Sequence, residues 1–287
     1  MSDDRAIRAP GRVKEVTSLA NPIVKDIKAL ALKKFRDREQ AFLAEGLKLV
    51  LDALDAGWTI KTLIYAKAGR GNATVEKAAA RTVASGGLVL EVPDKVLGAI
   101  TRRDNPQMVA AVFEQQFARL GDIRPEAGDV WVALDRVRDP GNLGTIIRTV
   151  DAVGAKGVIL VGDTTDPYSL ETVRATMGSL FSVKLARARE EEFLAWRKGC
   201  GARIVGTHLE GAVDYRLEDY GNGPTVLLMG NEQQGLPPSL AGTCDALVRI
   251  PQAGRADSLN LSVATGVMLY EIRRNALPKV GENPEPA

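Results

Sequence analysis

The stretch DPGNLGTIIRT, residues 139–149, comes shortly after an apolar run at 130–134. Two further stretches also begin where an apolar run ends: MGNEQQGL at 229–236 and IPQAGRADSLNLS at 250–262. Each places Gly or Pro beside Asn, Glu, Ser or Arg. In α/β folds, the loops at the carboxyl ends of strands carry the ligand sites. The three stretches therefore predict a polar site on the loops of an α/β sheet.

Short apolar runs alternate with helical periodicity throughout the second half of the chain. Helices are predicted at 143–153, within 170–177, at 190–198 and at 261–273. Strands are predicted at 130–134, 158–161, near 181–185, and at 203–207, 225–229 and 246–250. Short apolar strands between helices are typical of a parallel sheet covered on both faces. We therefore predict an α/β domain with a mainly parallel sheet over residues 129–275.

A smaller α/β unit is predicted over residues 17–114. Its strands are expected at 40–44, 60–65, 88–92 and 108–113, and its main helices at 46–56 and 73–84. The polar residues 115–128 are expected to form a linker. The N-terminus at 1–16 is expected to be flexible, and the proline-containing tail at 276–287 is expected to be disordered.

The composition excludes several classes of protein. The chain has 45% hydrophobic and 26% charged residues, as in an ordinary soluble globular protein. Its net charge of +2 provides no general affinity for nucleic acid, so an RNA contact requires a local basic face. The N-terminus lacks an apolar signal segment, and no apolar run approaches the roughly 20 residues of a membrane span. We expect a cytoplasmic protein without membrane contact.

Cysteine and histidine are too scarce for a metal site or a disulfide framework. Cys200 and Cys244 are the two cysteines, and His208 is the single histidine. A zinc site built from Cys and His is therefore excluded, and no metal is expected. Two separated cysteines are also consistent with a reducing compartment.

The first stretch combines a turn with the start of a helix. Asp139, Pro140 and Gly141 predict the turn, and Asn142 is expected to cap the helix that follows. Arg148 lies less than two turns further along that helix. Spacing alone leaves two interpretations open: an ordinary capped helix with a solvated arginine, or an arginine that faces a site.

The second and third stretches are also ambiguous by themselves. Gly230 at a strand end permits close approach of a ligand, and Glu232 adds a carboxylate, but a tight turn with an exposed Glu has the same sequence. Ser258 or Asn260 is expected to cap the helix at 261–273. Capping alone does not require both of these residues together with Ser262.

The order, spacing and residue identities of the three stretches resemble the SpoU (TrmH) family of RNA ribose methyltransferases, in the SPOUT superfamily. The N-terminal stretches TSLANP at 17–22 and FLAEG at 42–46 resemble the start of the small RNA-binding domain of many relatives. The resemblance implies a SPOUT domain with a parallel sheet and a deep trefoil knot. It also implies an N-terminal α/β RNA-binding domain that resembles a ribosomal-protein fold.

The resemblance also implies an activity. Members of this family transfer a methyl group from S-adenosylmethionine to a ribose 2′-hydroxyl, and they are homodimers with the pocket beside the dimer interface. RNA is the implied partner. An appended N-terminal domain is typical of the members that act on ribosomal RNA, which favours ribosomal RNA over transfer RNA.

The site residues carry over from the family by position. The implied catalytic residues are Asn142, Arg148, Glu232, Ser258 and Asn260. Backbone groups that hold the cofactor are implied at Thr207, Gly230, Ile250 and Leu259. The basic residues that could contact RNA phosphates in the N-terminal domain are Lys25, Lys28, Lys33, Lys34 and Arg36.

Arg148 is the residue expected to be most important for the chemistry. A guanidinium is hard to deprotonate in a protein, so we expect Arg148 to bind a phosphate and orient the hydroxyl rather than to act as a base. Glu232 could accept the hydroxyl proton, or it could position Asn142 and Arg148.

Three alternatives remain at this stage. The chain could methylate transfer RNA, or it could be a catalytically idle RNA-binding protein of the same fold. The intact set of five implied catalytic residues is an argument against the idle protein. A nucleotide-dependent enzyme unrelated to RNA is the third alternative, but the chain lacks the glycine-rich and Walker-type phosphate loops.

Overall fold

The computed structural model describes residues 11–209, 212–221, 223–279 and 281. The chain divides into two compact units. Within the described residues, the first unit contains the chain up to Gln116 together with Asp166–Phe181. The second unit contains Phe117–Thr165 and the chain from Ser182 onwards.

A mixed five-stranded sheet forms the centre of the first unit. Its strands are β1 (Arg12–Glu15), β2 (Ala41–Glu45), β3 (Ile60–Ala66), β4 (Leu88–Val92) and β5 (Val109–Glu114), in the order β1-β4-β3-β5-β2. Strand β4 pairs in parallel with β1 and β3, whereas β5 runs antiparallel to β2 and β3. The helices are α1 (Pro22–Ala29), α2 (Lys33–Glu39), α3 (Leu47–Asp55), α4 (Ala73–Ala84) and α5 (Asp94–Thr101).

A seven-stranded sheet forms the second unit, and each of its ladders is parallel. Its strands are β6 (Val130–Asp135), β7 (Gly157–Val161), β8 (Lys184–Ala188), β9 (Arg203–Thr207), β10 (Val213–Asp214), β11 (Thr225–Met229) and β12 (Ala246–Arg249). Their order is β10-β12-β9-β11-β6-β7-β8. The later helices are α6 (Pro140–Ala152), α7 (Leu170–Ala175, in the first unit), α8 (Glu190–Arg197), α9 (Pro238–Ala241) and α10 (Leu261–Ile272).

The central strands of the second unit are apolar along their whole length because both faces of the sheet are covered. Every residue of β6, β7 and β11 is buried. This explains why the sequence shows continuous apolar runs there instead of alternation. The predicted parallel sheet is confirmed.

The segment Asp166–Phe181 supplies part of the core of the first unit. Tyr168 and Phe181 pack with Phe42, whose ring centroid lies 4.5 Å and 6.2 Å from theirs. Trp58 donates its indole N–H to the carbonyl of Phe181 at 2.9 Å. The first unit therefore depends on a segment that is remote in sequence.

Buried charges also hold this segment. Arg36 and Asp166 form an ion pair at 2.7 Å, with side-chain exposures of 4% and 5%. Arg36 donates a further hydrogen bond to the carbonyl of Leu30 at 2.8 Å. The carboxylate of Glu45, 2% exposed, pairs with Arg174 at 2.8 Å and with Arg103 at 3.1 Å.

Several sequence predictions need correction at this level. The N-terminus expected to be flexible contains β1, which pairs with β4, while residues 1–10 lie outside the described residues. In the expected linker, Ala118 forms a bridge to Ala186 and the Ile123 carbonyl accepts the indole N–H of Trp196. Of the tail expected to be disordered, Val280 and residues 282–287 lie outside the described residues.

Two element assignments also change. The strand expected near 181–185 is β8, three residues later, because Ser179–Phe181 forms a 3-10 turn. Helix α5 was not predicted, although Leu97 and Ile100 have helical spacing and follow a proline at the N-cap. No helix in the described part of the chain is long and apolar enough to cross a membrane.

The substitution Asp166→Ala is expected to lower the free energy of unfolding by about 3 kcal/mol, because it leaves the Arg36 charge buried without its partner. Urea denaturation measures the change. The matched control is Glu39→Ala, which removes an exposed pair with Arg38 and should change stability by less than about 0.5 kcal/mol. Equal unfolding midpoints for the two variants would contradict this account of the first unit.

Candidate active site

Parallel pairing brings the ends of four strands together in the second unit. Strands β12, β9, β11 and β6 are consecutive neighbours in the sheet. Their registers align Thr207 with Val248, and Met229 with Leu134. The loops that follow these strands therefore emerge side by side, although the strands are far apart in sequence.

A cavity of about 750 Å³ lies among these loops. It is lined by eight of the nine residues predicted for catalysis and cofactor binding: Asn142, Thr207, Gly230, Glu232, Ile250, Ser258, Leu259 and Asn260. Arg148 is not among the lining residues; it is exposed on α6. Folding therefore brings the three sequence stretches to one cavity but leaves the predicted key arginine outside it.

Asn260 is the N-cap of α10, which resolves the choice between Ser258 and Asn260. Its Oδ1 accepts hydrogen bonds from the backbone N–H of Ser262 at 2.9 Å and from that of Val263. The Ser262 hydroxyl donates to the same oxygen at 2.7 Å. Because the oxygen is committed to the cap, the amide nitrogen points away from the helix and can donate elsewhere.

The amide of Asn260 continues into a polar chain across the cavity. Its Nδ2 donates to Oδ1 of Asn142 at 2.9 Å, and Nδ2 of Asn142 lies 3.4 Å from Oε1 of Glu232. The backbone N–H groups of Arg138 and Asp139 also approach the Glu232 carboxylate at 3.4 Å. The carboxylate thus lies at the N-terminal end of α6, where the helix dipole favours a negative charge.

The prediction that Asn142 caps α6 is wrong. The helix begins three residues earlier than predicted, at Pro140, and its N-cap is Asp139, whose Oδ1 accepts the N–H of Asn142 at 2.6 Å. Proline suits the first helical position because its missing N–H needs no partner there. The side chain of Asn142 is consequently free to link Asn260 with Glu232.

Gly230 begins a tight loop that only glycine permits. A Cβ there would lie 2.2 Å from the carbonyl carbon of Gly235. Asn231 and Gly235 exchange backbone hydrogen bonds at 3.1 Å and 2.9 Å. The carboxylate of Glu232 is therefore presented by a closed turn rather than by an open loop.

Asn231 anchors this turn and was not singled out from the sequence. Its Nδ2 donates to the carbonyl of Arg136 at 2.8 Å, and its Oδ1 accepts the N–H groups of Gln233 and Gln234. Asparagine commonly bonds the backbone two residues further on in turns. That preference was the available signal, but the partner Arg136 lies on another strand end.

Apolar residues complete the cavity wall. Met229, Val248 and Leu261 are buried and line it. The Thr207 hydroxyl lies 3.6 Å from the sulfur of Met229. An apolar wall with a few convergent polar groups is typical of a site for a small organic ligand.

Two other kinds of chemistry have little support. Burial raises the pKa of the Cys244 thiol to about 12, so it stays protonated and is a poor nucleophile. Among the residues that the structure describes, no group of three or more His, Cys, Asp or Glu side chains could hold a metal ion.

The predicted RNA contacts in the first unit divide into two groups. Lys25, Lys33 and Lys34 are exposed, and Lys28 is partly buried. The prediction for Arg36 is wrong, because it is the buried residue of α2 and its guanidinium is committed to Asp166. The remaining lysines keep the predicted role as a hypothesis.

Comparison with known families agrees with the resemblance. Residues 129–270 match the SpoU rRNA Methylase family, and residues 21–111 match the MRM3-like substrate binding domain. A 23S rRNA (guanosine(2553)-2′-O)-methyltransferase of Bacillus subtilis, RlmP, is 31% identical over 91% of this chain and 100% of its own length. This chain belongs to the SpoU rRNA methylase family. The predicted family is thereby confirmed.

Further relatives extend the comparison to structures. A 23S rRNA (uridine(2479)-2′-O)-methyltransferase of Streptomyces viridochromogenes is 36% identical, with coverage of 84% of this chain and 85% of that protein. An AdoMet-bound rRNA methyltransferase of Sinorhizobium meliloti is 65% identical, with a TM-score of 0.89 and coverage of 93% and 100%. These similarities confirm the α/β fold class and the separate N-terminal substrate-binding domain.

Replacement of Asn260 tests its assignment as the N-cap of α10. Asn260→Ala is expected to lower the free energy of unfolding by about 1 kcal/mol through loss of the cap, whereas Asn260→Asp keeps an oxygen acceptor and should retain most of it. Ser258→Ala is the control and should stay within about 0.5 kcal/mol. Chemical denaturation measures all three variants, and a larger loss for Ser258→Ala than for Asn260→Ala would refute the cap assignment.

Proposed function

We propose that this protein is an S-adenosylmethionine-dependent methyltransferase that acts on a ribose 2′-hydroxyl of ribosomal RNA. The observation that carries the proposal is the single cavity formed by all three motif loops of the SpoU domain. Ribosomal RNA is favoured over transfer RNA because the two relatives described above, each similar to this chain over most of its length, are named 23S rRNA methyltransferases. The N-terminal match to a substrate binding domain supports the same choice.

The cavity suits S-adenosylmethionine in size and chemistry. Its volume of about 750 Å³ lies in the usual range for cofactor-sized ligands. Backbone groups of Thr207, Gly230, Ile250 and Leu259 would hold the adenosine, beside the apolar side chain of Met229. When bound, the cofactor supplies the sulfonium methyl group that is transferred.

The protein residues then act on the hydroxyl. A new bond forms between the ribose O2′ and the methyl carbon while the sulfur–methyl bond breaks, so the hydroxyl must lose its proton. Glu232, which lines the cavity together with Asp257, is the carboxylate assigned to accept it, directly or through water. Asn142 positions Glu232, and Asn260 orients Asn142. Arg148 binds a phosphate of the RNA and orients the hydroxyl.

A homodimer would place Arg148 where this mechanism needs it. Helix α10 is apolar, and it buries Leu261, Met268 and Leu269 while Val263 and Tyr270 are each 52% exposed. An apolar helix with an uncovered face is typical of a subunit interface. We therefore include in the proposal a second copy on this face, with Arg148 of the partner subunit completing the cavity.

Further parts of the proposal rest on the family. The proposal includes a deep trefoil knot in the second unit and a cytoplasmic location. It also includes the predicted roles of the two domains, RNA binding for the first unit and catalysis for the second. The structure assigns Asp166–Phe181 to the first unit, which divides the catalytic segment predicted at 129–275.

The direct test is methyl transfer from tritiated S-adenosylmethionine to RNA from a strain that lacks the gene. Wild-type protein should label ribosomal RNA, and Arg148→Ala should lose at least about 100-fold in rate because the hydroxyl is no longer positioned. Label in transfer RNA instead would show that transfer RNA is the substrate. Near-full turnover by Arg148→Ala would contradict the role assigned to Arg148. Failure of wild-type protein to bind the cofactor would favour the idle RNA-binding alternative.

A mixing experiment tests the shared site. Asn142→Asp sets a second carboxylate against Glu232, so this variant and Arg148→Ala should each be inactive as homodimers. Co-expressed in equal amounts, they should regain about a quarter of wild-type turnover. Half of the dimers are then mixed, and one of the two sites in each mixed dimer is intact. No recovery in isolated mixed dimers would show that each chain uses its own Arg148.

A further inference from the structure

Asp135 is a buried carboxylate that the proposed reaction does not use. It is the last residue of β6, and its side chain is 1% exposed. Its Oδ2 accepts two hydrogen bonds from the next residue, Arg136, from Nε at 3.1 Å and from Nη2 at 2.8 Å. Its Oδ1 is buried, and no residue that the structure describes donates a hydrogen bond to it.

Arg136 has a backbone conformation that costs free energy. Its φ is +46°, in the left-handed region, although it is not glycine. Such a conformation is unfavourable for an L-residue with a full side chain. Burial also raises the pKa of Asp135, against the effect of the neighbouring guanidinium. The chain therefore maintains a destabilising carboxylate beside a destabilising backbone conformation.

The ion pair between Asp135 and Arg136 offsets the free-energy cost of the positive φ by holding the Arg136 side chain in one position, an arrangement called the clamp below. The two nitrogens that bond Oδ2 hold the guanidinium against the end of β6. On the neighbouring strand end, Gly162 leaves room for the side chain: a Cβ there would lie 3.0 Å from Cγ of Arg136. The backbone N–H of Arg136 still bonds the carbonyl of Val161 at 2.9 Å.

The left-handed turn has a consequence for the candidate site. It presents the carbonyl of Arg136 to Nδ2 of Asn231 at 2.8 Å. Asn231 in turn holds the N–H groups of Gln233 and Gln234 and closes the turn at Gly235. Glu232 lies within this turn, so one unbroken set of contacts connects Asp135 to the cavity wall.

We propose that Asp135 is a positioning residue for the cofactor site. Its clamp on Arg136 fixes the carbonyl that anchors Asn231, and thereby sets the Gly230–Gly235 turn against the bound cofactor. This inference rests on the proposed function, because it takes S-adenosylmethionine as the ligand of the cavity. Asp135 touches neither cofactor nor RNA in this role.

A double-variant series tests the clamp, with the dissociation constant of S-adenosylmethionine measured by calorimetry on the full-length protein. Asp135→Asn should weaken binding about tenfold, because Arg136 loses the partner that offsets its backbone conformation. Glycine adopts positive φ without that cost, so Asp135→Asn combined with Arg136→Gly should bind within about threefold of wild type. Arg136→Gly alone should bind more weakly than the double variant, because it leaves the Asp135 carboxylate buried and unpaired.

A matched control is Asp163→Asn, which removes the exposed partner of Arg138 and should leave binding unchanged. The inference is overturned if Asp135→Asn binds like wild type, or if the double variant is as weak as Asp135→Asn. Should Asp135→Asn fail to fold, the double variant decides alone: tenfold weakening overturns the clamp, and near-wild-type binding supports it. Absence of binding by the wild-type protein would instead refute the proposed function.

Discussion

Parallel strand pairing is the constraint on which the candidate site depends. Strands β6, β9, β11 and β12 are neighbours and all run in one direction, so their carboxyl ends meet at one edge of the sheet. Residues separated by more than a hundred positions, such as Asn142 and Asn260, become hydrogen-bonded neighbours there. Because parallel strands require long connections, the chain returns to this edge after each crossover and adds another loop to the cavity.

Local backbone requirements then give each loop its shape. Pro140 and Asp139 start α6 early enough to free the side chain of Asn142, and Asn260 uses its oxygen to cap α10 and its nitrogen to reach Asn142. The same side chains thus satisfy helix ends and build the polar wall. A substitution in this network therefore affects stability and site geometry together, unless it keeps one hydrogen-bonding atom and removes the other.

The first unit shows how buried charge can join segments that are remote in sequence. Arg36 with Asp166, and Glu45 with Arg174, each pair the N-terminal part of the chain with Asp166–Phe181. A buried ion pair contributes little net stability, but loss of one partner is costly. Asp166–Phe181 therefore belongs to the first unit, although the sequence predicts one continuous α/β domain over residues 129–275.

The sequence by itself determined the alternation of strands and helices, the parallel sheet and the residues of the three motif loops, because apolar periodicity and glycine or proline positions are local signals. The local signals left the roles of Gly230, Glu232 and Asn260 open, and it was the resemblance to the SpoU family that grouped them in one site. Tertiary structure decided the rest. It placed Arg36 in an ion pair, moved the α6 cap to Asp139, left Arg148 outside the cavity and joined Asp135 to Asn231 through Arg136. The contacts of Arg36 and Arg136 are made with partners distant in the chain, Asp166 and Asn231, and local patterns contain no information about such partners. The Asp139 cap is a local contact with Asn142, but Asp and Asn both suit a cap position, so the sequence pattern did not choose between them.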